Sequence, residues 1–245
     1  MANIKIPPTK LKQLNQGVIE TANLNEWLKV DQKKLLNSLA NELGFIELEE
    51  LSTLLPDVSV PKQIIWVGSQ ITEEKILKDL KAHTSDVARC WSCYALAKKK
   101  RTLKSALTAV KPFAKDSHFG VREVAWMAVR DEICEQPKES IELLNSWAKD
   151  KDANVRRFAS EATRPRGVWA KHIKEFKEDP TPATPLLNEL YTDAVRYVQD
   201  SVGNWLNDAA KDHPGWVTTL VTKWRKKSNS KETSYIIKRA TRSIK

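Results

Sequence analysis

Three segments of this chain repeat one another at a fixed interval. SDVARCWSCYALA, SHFGVREVAWMAV and KDANVRRFASEAT each open on a turn, place a valine, and continue as an apolar stripe of helical period. The valines, Val87, Val121 and Val155, stand 34 residues apart. DAVRYVQDSVGNWLND and KETSYIIKRATRSI extend the series at longer intervals of 40, with Val195 and Tyr235 at the corresponding positions. Between the copies, TLKSALTAVKPFAKD, SIELLNSWAKD, TPLLNELYTD and GWVTTLVTKW read as second helices. Paired helices recurring every ~34 to 47 residues describe a solenoid in which each unit buries its apolar face against its neighbours. The signature residues of tetratricopeptide repeats are missing, and the D-x-x-V-R entry favours HEAT-like units. Only 7 glycines and a 41% hydrophobic share agree with an all-α protein. A C-shaped stack is expected, with the valine-arginine helices lining a concave basic face.

The first seventy residues lack this rhythm. Lys10–Val18, Leu24–Val30, Gln32–Leu43 and Glu47–Leu55 read as short helices, set off by Pro56 and Pro61 from another at Lys62–Ile71. We take residues 1–71 as a helical cap, packed through Trp27 and Trp66 onto an array spanning 72–245. No long apolar run suggests a membrane span or a secretory leader, so a cytoplasmic protein, acting as a monomer away from membranes, is expected.

Charge narrows the partners. The formal net charge is +10. Lys98, Lys99, Lys100 and Arg101 form one basic block, and residues 223–245 carry nine basic side chains against the single acid Glu232. Basic blocks spread along a helical array suit a polyanion followed along its backbone. Cys90 and Cys93 spell C-x-x-C, but inside a helical segment with no second ligand pair, so they read as ordinary helix residues. His83, His118, His172 and His213 are scattered, and neither metal nor cofactor is expected.

Chemistry concentrates between Asn154 and Trp169, NVRRFASEATRPRGVW. One carboxylate, Glu161, stands among Arg156, Arg157, Arg164 and Arg166. Pro165 cannot continue the helix and biases Arg164 out of it, so RPRG leaves as a stiff cationic loop. A carboxylate at a helix end beside such a loop and an indole suits a site that holds an anion and stabilises a developing cation. An ordinary surface ion pair in a helix turn would give the same pattern.

VRRFASEATRPRGVW, SVGNWLNDAAKDHP and YIIKRATRSI, in this order and near these separations, resemble the bacterial DNA alkylation repair family of HEAT-like-repeat DNA glycosylases. Within that AlkC and AlkD group, the likeness is closer to AlkC. It covers roughly residues 80 to 245. It implies a helical crescent holding duplex DNA that contains alkylated bases. Glu161 and Asp208 would be its site acids, and Trp126 and Trp169 would flank the sugar or the lesion. Trp126 falls where AlkC-like members carry a further Glu, so one family carboxylate is missing or moved. Phosphates would fall to Arg122, Arg156, Arg157, Arg164, Arg166 and Arg196, the first, second and last at matching repeat positions, with Lys211, Arg239 and Arg242. A structural ion pair with a turn acid would explain any one arginine equally well, and Asp208 could merely pair with Lys211.

Three functions follow from this reading: excision of cationic N-alkylated bases, binding of damaged or branched DNA without excision, and a HEAT scaffold for an acidic protein partner. In the first, a fixed carboxylate stabilises the oxocarbenium-like sugar and indole faces add cation–π attraction.

Overall fold

The computed structural model describes residues 5–167 and 169–244, and among them every regular element is helical. Two compact units emerge: Met1–Arg101 with Thr108–Ala128, and Thr102–Leu107 with Val129–Lys245. Among the described residues no helix is long and apolar enough to cross a membrane.

The first unit contains the expected short helices, with shifted edges. Pro8 opens the first helix at Pro8–Gln16, because its fixed φ suits the first turn and its missing N–H is not needed there. Gly17 ends that helix at φ 77°, a left-handed conformation costly for any residue with a Cβ. Pro61, expected to separate helices, instead occupies the first turn of Val60–Gln70 for the same reason as Pro8. Helix Asp86–Lys98 packs on Val60–Gln70 and on Phe119–Met127. Trp27 is buried. Thr21 reaches Asp86 through both its amide (3.0 Å) and its hydroxyl (2.8 Å), stapling an early turn to the first repeat helix. Cys90 and Cys93 are fully buried on that helix, and burial pushes both thiols well above the ordinary range.

In the second unit, helix Ala153–Ala162 packs on Arg196–Ala210, which packs in turn on Lys231–Ala240. Val87, Val121 and Val155 are all fully buried, as the period requires. Val195 is not: it caps its helix and is 38% exposed. Val198, at 0% exposure, stands third in its helix as Val121 and Val155 do in theirs. The step from Val155 to Val198 is thus 43 residues, and the extra length lies in the loop after Ala162 and the short helix Lys174–Glu178.

This register also reassigns the arginines. Arg89 Nη1 donates to the carbonyls of His83 and Thr84, Arg122 Nη1 to those of Asp116 and Ser117, and Arg156 Nη1 to those of Asp150 and Lys151. In each case the carbonyls lie six and five residues back, so the guanidinium closes the turn before its own helix. Arg89 also reaches forward to Asp116, and Arg156 to Asp193 at 2.6 and 3.1 Å. The counterpart in helix Arg196–Ala210 is Gln199, whose amide donates to the Asp193 carbonyl six residues back. Arg196 is therefore not the repeat equivalent of Arg122 and Arg156. It lies over the Tyr235 ring, 3.5 Å from the centroid.

Gly203 marks a close approach of helix Arg196–Ala210 to Lys231–Ala240, since a Cβ built there would meet Arg239 Cβ at 2.6 Å. Gly203→Ala should gain ~0.5–1 kcal/mol of helix propensity and lose more, ~1–3 kcal/mol, to overpacking. We expect a lower melting temperature by a few degrees; a rise would show that the helices separate freely.

Candidate active site

The helix Ala153–Ala162 carries Glu161 in its last turn, and Pro165 enforces its end. The freed carbonyls are met by a side chain from another element. Arg130 Nη1 donates to the Ala162 carbonyl at 2.5 Å, Nη2 to that of Arg164 at 2.7 Å, and Nε to that of Lys171 at 2.8 Å. One guanidinium thereby satisfies helix end and loop together. The Trp205 indole N–H donates to the Thr163 carbonyl at 3.0 Å, which fixes this ring inward. Burial and the like charge of Arg164 lower the pKa of Arg130, with Glu161 and Asp208 opposing that shift.

Within this frame the structure brings Glu161 and Asp208 together through Arg164. Arg164 Nη1 donates to Glu161 Oε1 at 2.6 Å, and its Nε to Asp208 Oδ2 at 2.9 Å. Both acids are 5% exposed and Arg164 8%. Ser201 donates its hydroxyl to Glu161 Oε2 at 2.7 Å, and Arg157 Nη2 lies 3.5 Å from the same oxygen. Arg157 also lies over the Tyr197 ring, 4.6 Å from its centroid. Lys211 approaches Asp208 Oδ1 at 3.4 Å, so the local pairing expected for Asp208 exists beside the longer-range one. Burial pushes the Glu161 carboxyl up, but Arg157, Arg164 and the Ser201 hydroxyl outweigh it and hold the group below its ordinary value. Arg164 shows the mirror image: burial lowers its pKa, while Glu161 and Asp208 more than restore the charge. The result is a pair of buried carboxylates sharing one guanidinium, with Glu161 held ionised and oriented.

The remaining expected site residues divide by environment. Trp169 is 67% exposed and sits at φ 60°, a left-handed conformation unusual for a bulky side chain. An exposed indole held in a disfavoured backbone is a functional hint. Trp126, in the other unit, is 2% exposed and donates its indole N–H to Glu123 Oε2 at 2.7 Å, so its ring is packed and presents no open wall. Arg166 binds both oxygens of Asp212 at 2.8 Å. Arg122 and Arg156 serve the turn closures described above. Arg239 and Arg242 reach Asn204 and Asn207 across the helix pair, Arg242 from an exposed position. Ser201 and Arg130 escape a reading by motif. Their one sequence signal is spacing, since Ser201 lies 40 residues beyond Glu161, near one repeat period.

Comparisons with known proteins place the chain in a family. The chain is similar to an uncharacterised protein, YhaZ, of Bacillus subtilis strain 168, at 38% identity over 117 residues, which span 48% of this chain and 32% of that one. Among solved structures it resembles the alkylpurine DNA glycosylase AlkC of Pseudomonas fluorescens, bound to DNA containing an abasic site analog. The TM-score is 0.70 at 26% identity, over 85% of this chain and 62% of that one. The chain thus spans less than two thirds of each of these relatives. AlkD2 of Streptococcus mutans shares the fold, with a TM-score of 0.61 at 24% identity over 86% of this chain and 98% of that one. The pattern of DNA alkylation repair enzymes matches residues 121–244, half of the chain and the part that holds Glu161, Arg164 and Asp208, and the protein belongs to that family.

Proposed function

We propose that this protein removes cationic N-alkylated bases, of the 3-methyladenine and 7-methylguanine type, from duplex DNA by hydrolysing the N-glycosidic bond. The observation that carries the reading is a buried carboxylate, Glu161, kept ionised by Arg157 and Arg164 at the edge of a loop bearing an exposed indole. Alkylation at a ring nitrogen makes the base a good leaving group, and its departure builds positive charge on the sugar. A pre-oriented carboxylate stabilises that charge at no reorganisation cost. Asp208 adds a second negative group through Arg164, and Trp169 offers an aromatic face to the lesion or its neighbours.

Cations surround the two acids: Arg157, Arg164 and Lys211 against Glu161 and Asp208. That excess opposes a cation unless an anion draws part of it away. DNA phosphates supply this anion, because guanidinium forks bind phosphate as well as carboxylate. In our reading, duplex binding re-partners Arg157 and Arg164 toward the backbone and leaves the Glu161 charge to act on the sugar. Exposed Lys223, Arg225, Lys226, Lys227, Lys231, Lys238 and Arg242 extend the phosphate-binding surface. The buried packing of Trp126 favours a second reading, binding of damaged DNA without excision.

Release of methylated bases from alkylated duplex DNA separates the two. Glu161→Gln should slow release by ~10²–10³-fold, the scale for losing one pre-organised electrostatic partner, while duplex affinity stays within about twofold. Binding without release by the native protein would establish the second reading. A scaffold for an acidic protein would show no duplex binding that weakens by ~0.9 log units per phosphate contact for each log unit of salt.

Ionisation of Glu161 also sets a stability profile. Its folded pKa is lowered, so its contribution is complete above the unfolded carboxyl value of ~4.3 and is lost as pH falls through the folded value. Native protein should exceed Glu161→Gln by a constant margin from neutrality down to about pH 5, the gap closing in urea melts only as pH falls below ~4.3. A gap that widens on acidification would contradict an ionised Glu161. Arg164→Ala leaves two buried carboxylates without their shared partner and should cost ~3–5 kcal/mol in the same melts.

A further inference from the structure

We infer that Ser160 and Ser201 form a hydroxyl relay that fixes the orientation of the Glu161 carboxylate, which makes Ser201 a positioning residue for base excision. The inference rests on the glycosylase reading for its catalytic consequence, but its geometry stands independently. Ser160 and Ser201 are 0% and 2% exposed, and a hydroxyl buried so deeply is costly unless it is hydrogen-bonded.

Proton bookkeeping sets the direction of the relay. An ionised carboxylate only accepts, so the Ser201 proton is committed to Glu161 Oε2 at 2.7 Å. The 2.8 Å contact between the two hydroxyls then requires Ser160 to donate and Ser201 to accept. Ser160 has one proton, so it must turn from the carbonyl of Arg157, 3.0 Å away in its own helix. The chain runs Ser160 to Ser201 to Glu161 and links helix Ala153–Ala162 to helix Arg196–Ala210.

The relay does what the arginines cannot. Rotation about the terminal bond of a Glu side chain is soft, so one held oxygen leaves the carboxylate free to swing. Arg164 holds Oε1. Beside Ser201, the Oε2 partner among the described residues is Arg157 at 3.5 Å, beyond a good hydrogen bond. A hydroxyl from a second helix fixes that oxygen without bringing a positive charge that would oppose the developing sugar cation.

The test uses the full chain with Ser201→Ala, Ser160→Ala and the double variant. Ser201→Ala should lower kcat for 7-methylguanine release by about tenfold with KM unchanged, the scale of one charge-assisted hydrogen bond. Ser160→Ala should have a smaller effect that disappears in the Ser201→Ala background, because it acts through Ser201. Titration of the Glu161 carboxyl, followed by carbon-13 NMR of glutamate-labelled protein and assigned with Glu161→Gln, supplies a readout independent of activity. It should move upward in Ser201→Ala and less in Ser160→Ala. An unmoved titration in Ser201→Ala, or strictly additive kinetic effects, would overturn the relay. Absence of release by the native protein would remove the glycosylase reading, yet the titration would still decide whether the relay exists.

Discussion

Arg164 stands between two carboxylates from different helices, with all three groups removed from water. Burial makes the arrangement interdependent. Charges that would each lose several kcal/mol of hydration are tolerated because one fork meets both acids, with Arg157 and Ser201 adding to the hold on Glu161 and Lys211 to that on Asp208. The fork can do so because Pro165 ends the helix at the right residue, and because Arg130 accepts the task of pairing the freed carbonyls. The chemistry proposed for Glu161 thus depends on a helix terminus. Moving that terminus by one residue would turn Glu161 or Arg164 through about 100° and separate them.

Much of the fold was legible in the sequence, since period and helix ends are written in local pattern. The buried valines at 87, 121 and 155 follow the repeat, and the short helices before residue 71 differ from expectation by only a few residues. Register across the longer spacing was not legible. Val195 satisfied the motif, but the inserted loop shifts the true equivalent to Val198, and Gln199 takes the arginine's place. A motif containing both valine and arginine fits either register by eye. Burial of the valine and the hydrogen bond to the carbonyl six residues back distinguish them.

The site divides in the same way. The neighbourhood of Glu161, Arg157 and Arg164 followed from helical spacing, which depends on few residues. That Arg164 turns inward to Asp208, 44 residues on, depends on how two helices meet, and no local rule contains that. Ser201 went unseen for a related reason, because a serine in a helix has no motif and acquires meaning only from its partner. Trp126 and Trp169 were alike as letters, yet one is packed and the other stands in solvent.

The Arg156–Asp193 pair joins the first turn of the site helix to a turn after the inserted loop. Everything from residue 164 to 192 is therefore bracketed by a clasp that does not involve it. Lengthening such a closed segment costs only ~0.6 kcal/mol per doubling. Under the proposed function, changes around Trp169 leave this clasp in place, so contacts made by that indole are separable from the register of the flanking helices.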